Sequence, residues 1–154
     1  MMGNIDEFWS RCRASLGRDD PGGPFRVRRI GNTPQLSNSL LGLITAGEKT
    51  GLFSNPDELQ PRPAAGDIFI FTDCAGQPRC AVRLTESRVL RFADVGPAET
   101  ACESPAARDP AAWRDIHGRH WRGICEAGGG TFSEEMPLLF QRFRLLYAEP
   151  APVS

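Results

Sequence analysis

A chain of 154 residues, 40% apolar and 24% charged, suits one soluble domain with a core large enough to fold unaided. No apolar run approaches a membrane span, and the acidic start "MMGNIDEFWSRCRASLG" lacks the basic and apolar regions of a secretion signal, so a cytoplasmic protein with no membrane contact is expected. The net charge of −1 excludes a general nucleic-acid coat but leaves room for a local basic site.

The first sixteen residues read as a helix, with Ile5, Phe8, Trp9, Cys12 and Leu16 near 3.6-residue spacing. "GRDDPGGP" (17–24) breaks it as a loop. "FRVRRIGN" (25–32) is a short extended piece in which Arg26 and Arg28 share one face and Arg29 takes the other. The clearest helix follows: Thr33 caps it, Pro34 opens it, Leu36, Leu40, Leu43 and Ile44 line one face, and Gly47 stops it. Lys49 therefore sits on a turn just past a helix end. Residues 55–66 are a proline-rich loop. "DIFIFTD" (67–73), "RCAVRLTES" (79–87), "RVLRF" (88–92) and "FQRFRLLY" (140–147) read as four strands. Between the last two lie a polar loop (93–109), a helix from about Pro110 to Cys125 and a glycine-rich connector (127–137). The pattern is that of an α+β domain: short antiparallel strands forming a small barrel or half-barrel, with helices packed around it and a loose tail from residue 148.

Five cysteines, an odd number without a C-x-x-C pair, speak for reduced thiols and against a disulfide framework or zinc knuckle. "AGGGTF" (127–132) lacks the lysine and the strand–loop–helix setting of a phosphate loop. His117 and His120 lie three apart on a helix, which is not the spacing of the usual helical zinc pair, so packed or surface histidines are expected, with no metal and no cofactor. Cys102 adjoins Glu103, and a neighbouring carboxylate raises a thiol pKa, the wrong direction for a reactive thiolate. The richest cluster is Lys49, Thr50 and Ser54 with a distant carboxylate such as Glu103. Lys49 is the only lysine in the chain, where every other basic side chain is arginine. A lysine amine is a compact charge whose pKa falls readily on burial, so it serves as base, nucleophile or single-point anion contact where arginine does not.

"LLGLITAGEKT" with Ser54, the Gly-Asp that opens "GDIFIF", "WRDIHGRHW" and the closing "FQRFRLLY" together resemble the ASCH domain family, over about residues 25–147. The resemblance implies a β-barrel related to the PUA fold, and a cleft beside the Gly-x-Lys-Thr turn. It also implies binding of RNA, a nucleoside or a nucleotide; some relatives hydrolyse N4-acetylcytidine, and ribonuclease activity is ascribed to others. In the hydrolytic relatives a lysine, a threonine three residues on and a distant glutamate act together. Here the lysine is Lys49 and the glutamate Glu103, but the threonine position is Leu52, which carries no hydroxyl. Thr50 or Ser54 would have to replace it, and Ser54 lies ~17 Å away along an extended chain. Two acidic positions after Glu103 give way to "SPAAR", and "RRIGN" (28–32) replaces an aromatic-Gly-acidic segment.

These changes remove negative charge and keep the lysine, so the expected cleft attracts phosphate, with Lys49, Thr50, Arg29 and Asn32 as contacts, and Glu103 accepting from a base. Phe53 is the aromatic that would stack on the base, Trp113 being expected in the core. A hydrolase using Lys49 and Glu103 is the alternative reading, and a non-catalytic interaction or small-ligand module the third.

Overall fold

The structure, a computed structural model, describes residues 4–150. Helix α1 (Asn4–Leu16) buries Phe8, Trp9 and Cys12 along one stripe, as the spacing predicts; residues 1–3 of that expected helix lie outside the described residues. Strand β1 (Arg26–Arg29) leads to helix α2 (Pro34–Thr45). The Thr33 hydroxyl accepts from the Leu36 amide, and Pro34 sits in the first turn, where its missing N–H leaves nothing unpaired. Gly47 at φ 79° turns the chain out of the helix, a conformation that L side chains disfavour. The buried stripe of α2 is Ser37, Leu41 and Ile44; Leu36, expected inside, is 44% exposed and faces a groove described below.

Strands β2 (Gly51–Ser54), β3 (Ile68–Thr72), β4 (Pro78–Arg91) and β5 (Pro137–Ala148) join β1 in one five-stranded sheet of order β1-β3-β4-β5-β2. The sheet is mixed, not purely antiparallel: β1 runs parallel to β3, with Arg26 opposite Phe69. That pairing is possible because α2 and β2 lie between the two strands and supply the long crossover that parallel neighbours need. Residues 79–87 and 88–92 are one 14-residue strand. Register shifts between Ala81 and Val82 and between Leu84 and Glu86 bend it, and its charged residues face outward instead of ending it. Helix α3 (Pro97–Thr100) forms within the segment read as loop, and α4 (Pro110–Ala127) starts on an Asp109 cap that accepts from the Ala112 amide.

The curled sheet, a half-barrel in an α+β fold, buries both faces. Inside, Phe69, Phe71, Val82, Leu84 and Phe143 pack under Leu41 and Ile44 of α2. Outside, Ile68, Ile70 and Ala81 pack against Phe8, Trp9 and Cys12 of α1. The alternation of "IFIF" thus feeds two cores, which is why it reads as a continuous apolar run. At the far end, Trp113 and Trp121 of α4 pack with Phe92, Val95 and Leu138. Residues 148 and 149, expected in a loose tail, continue the fold: Arg11 donates to both oxygens of Glu149 at 2.6 and 2.9 Å. Among the described residues no helix is long and apolar enough to cross a membrane.

Candidate functional site

Lys49 turns inward after α2 and is 8% exposed. Its ammonium donates to Oε1 of Glu103, itself 3% exposed, and the other oxygen, Oε2, lies 3.1 Å from Nε2 of His117. Burial pushes the Glu103 carboxyl up, but the His117 hydrogen bond, then the charge and hydrogen bond of Lys49, outweigh it and leave the pKa below the ordinary value. The three side chains come from the turn after α2, the loop after α3 and the middle of α4. His117 is the residue that the sequence did not connect to the others. Its signal was Trp-Arg-x-x-His, which puts Trp113 and His117 on one helical face.

The loop carrying Glu103 is fastened to the Lys49 turn at several points. The Thr50 amide donates to the Cys102 carbonyl at 2.8 Å. Arg108 donates through Nε to the Glu103 carbonyl at 2.9 Å and through its terminal nitrogen to the Glu48 carbonyl. Gly51 makes the approach possible: a Cβ there would meet Cys102 Sγ and the Gln141 carbonyl at 2.6 Å each. Burial first, and then the Glu103 charge, push the Cys102 thiol up to about 12, so it acts as packing and not as a nucleophile.

In front of this trio lies an open groove of about 700 Å³. Its floor is Phe53 and Ser54 of β2, one wall is Leu36 and Leu40 of α2, and the other wall is Ile116, His117, His120 and Ile124 of α4. His117 alone belongs to both the wall and the buried trio; Lys49 and Glu103 lie behind it. The groove is not basic. Arg28 is the cation among its lining residues and is paired with Glu58 at 3.0 Å, while Asp57 adds a second carboxylate to the rim. The expectation of a phosphate-attracting cleft is corrected on that ground.

The other expected contacts divide. Phe53 is half-buried on the floor, and Ser54 beside it donates to Gln141 Oε1 at 3.3 Å. Ser54 stays on extended β2, so the chain does not turn it back to Lys49. Thr50 is exposed and joins the site through its backbone. Arg29 and Asn32 are exposed and do not line the groove; the alternation of β1 gives that place to Arg28. Leu52, at the family's threonine position, packs into the inner core. Trp113 is fully buried, and Glu103, with both oxygens engaged behind His117, is not offered to a base. No group of three or more His, Cys, Asp or Glu side chains among the described residues is arranged to hold a metal ion.

The ASCH domain family model matches residues 27–147. This chain belongs to the ASCH domain family. The crystal structure of an ASCH domain from Lactobacillus crispatus is similar over 96% of both chains, with a TM-score of 0.82 at 22% identity. A protein from Enterococcus faecalis covers 100% of this chain and 99% of its own, with a TM-score of 0.78 at 20% identity. At such identities the likeness is one of fold, and it places this ASCH domain among PUA-like α+β half-barrels. No curated protein matches the chain at a significant level.

Proposed function

We propose that this ASCH domain binds RNA or a free nucleoside by seating one base in the groove between α2 and α4. The observation that carries the reading is the half-buried Phe53 ring on the groove floor, 6.0 Å between centroids from His117, with aliphatic walls on both sides. A base has an apolar face and a polar edge. The face stacks on Phe53, and Ser54, Asn55 and the imidazoles of His117 and His120 supply groups for the edge. A volume of about 700 Å³ lies in the range of small-molecule sites. Paired Arg28 and the rim carboxylates favour a base over a phosphate. Titration with cytidine, N4-acetylcytidine and a short single-stranded RNA tests this. Phe53→Ala should weaken binding roughly tenfold, the scale of one base–aromatic stack; unchanged affinity in that variant would remove the reading.

A second reading is favoured by the trio itself. An imidazole on the groove wall, backed by a buried carboxylate, can take and return a proton, which is what hydrolysis of a modified nucleoside or of RNA needs. The attacking group would be water or the Ser54 hydroxyl, and Lys49 would act from behind by holding Glu103 ionised. Mass spectrometry of N4-acetylcytidine and an RNA pool, incubated with wild type and with His117→Gln, decides it. Product from wild type that is lost in His117→Gln makes the domain an enzyme, and no product from wild type rejects that.

A further inference from the structure

We propose that Arg83 and Arg144 form a phosphate-binding surface for the backbone of single-stranded RNA, on the opposite face of the sheet from the inner core. The proposal deepens the RNA reading: the groove holds a base but offers phosphate no free cation, so backbone contacts must lie elsewhere. The β4–β5 register sets Arg83 directly opposite Arg144. Their strand neighbours Leu84 and Phe143 point into the inner core, so both arginines point outward, in line with Ile68 on the α1 side. Like charges directly opposite each other repel, and proteins usually separate them or pair them. On the same two strands Arg88, Arg91 and Arg142 each hold a carboxylate. Arg83 and Arg144 have no hydrogen-bond or ion-pair partner among the described residues.

The space beside them is open. One hollow of about 300 Å³ runs from Arg83 to Arg26, Gly22 and Gly23; another of about 390 Å³ runs from Arg144 to Leu16 and Asp19. A side chain built at Gly22 or Gly23 would touch nothing within 4 Å, so nothing bars an incoming phosphate there. Asp67 and Asp19 border the two hollows, but neither forms an ion pair with the arginines, and Asp67 accepts from the Ala64 amide instead. A phosphodiester laid across the pair would accept from two guanidinium forks and cancel the repulsion between them. Phosphate suits that geometry better than a carboxylate side chain, because it has oxygens for both forks at once.

The test is the salt dependence of binding of a fluorescent single-stranded RNA to the full chain. Arg83→Gln with Arg144→Gln should make the slope of log K against log salt shallower by about 1.4, the value for two lost contacts to a single strand. Binding of free cytidine should be unchanged. Arg91→Gln with Arg119→Gln removes the same charge at exposed, already paired arginines and should leave the slope close to wild type. An unchanged slope in the first variant, or equal changes in the two, overturns the proposal while leaving the groove reading intact. Loss of cytidine binding in Phe53→Ala, with the slope effect retained, supports both. A slope effect in wild-type background with no base-dependent binding keeps this surface and rejects the groove. If polyglutamate competes as well as RNA, the surface takes acidic protein and the proposal falls.

Discussion

His117 stacks on Trp113, with ring centroids 4.5 Å apart and planes inclined by 15°. Its Nδ1 lies 3.1 Å from the Trp113 carbonyl, and its Nε2 reaches Glu103. A fully buried indole therefore fixes an imidazole that stands partly in the groove, and the imidazole touches a carboxylate that lies behind it. The groove and the Lys49–Glu103 pair meet at this one ring.

Lys49→Ala should destabilise the fold before it alters any ligand contact. Lys49 does not line the groove, and removing it leaves Glu103 buried with His117 as its remaining charged neighbour. Breaking one side of a buried ion pair costs about 3–5 kcal/mol. Urea denaturation should show a loss near the lower end of that range. The double replacement of Lys49 by Met and Glu103 by Leu should lose less than the sum of the single changes, and additive losses would mean that the pair is not coupled.

Acid should release the same interaction. Glu103 holds its proton less tightly folded than unfolded, so its contribution is complete above the ordinary glutamate pKa of about 4.3 and disappears as pH falls through the lowered folded value. Other carboxylates held low, such as Glu99 and Glu149, titrate in the same direction. The stability difference between wild type and Glu103→Gln isolates the Glu103 part. It should be flat near neutrality and shrink below pH 4.3 or so; a difference that is independent of pH down to the acid transition would contradict the assignment.

Gly51→Ala should cost about 2–3 kcal/mol, the upper part of the range for overpacking, because the new methyl meets both a thiol and a backbone carbonyl at 2.6 Å. Cys102→Ala in the same chain should restore only part of the loss, since the Gln141 carbonyl cannot withdraw without disturbing the β2–β5 pairing. Thermal melts of the three variants measure it. Full restoration would show that the thiol alone sets the limit.

Arg108→Met should loosen the loop that carries Glu103. Two bonds to backbone carbonyls disappear, each worth about 1 kcal/mol net. Hydrogen exchange at the Thr50 amide, which donates to Cys102, should quicken, while amides of β3 should keep wild-type rates. Equal protection at Thr50 in both proteins would show that Arg108 does not fasten the loop.

Thiol labelling separates the cysteines by burial. Cys12, Cys80 and Cys102 are buried, and burial drives the thiols of Cys12 and Cys80 up to about 11 and 12. Cys74 and Cys125 are partly exposed and should react in the native state. Mass spectrometry after brief alkylation should find those two modified and the other three only after unfolding.

The local sequence determined every feature that depends on neighbours along the chain. Thr33 and Pro34 set where α2 begins, Gly47 where it ends, and the spacing of Phe8, Trp9 and Cys12 which face of α1 is buried, because caps, φ limits and helical period act within a few residues. Lys49 and Glu103 were also legible as a pair, through the family resemblance. Only the tertiary structure decided what stands between them and solvent. Whether β1 runs parallel to β3, whether Leu52 faces the core or the groove, and which of Arg28 and Arg29 lines the groove all depend on sheet pairing between distant segments. The same holds for His117: its helix and the Glu103 loop meet because α4 folds back over β2 to bury Trp113 against Phe53, and periodicity in the sequence does not encode that contact.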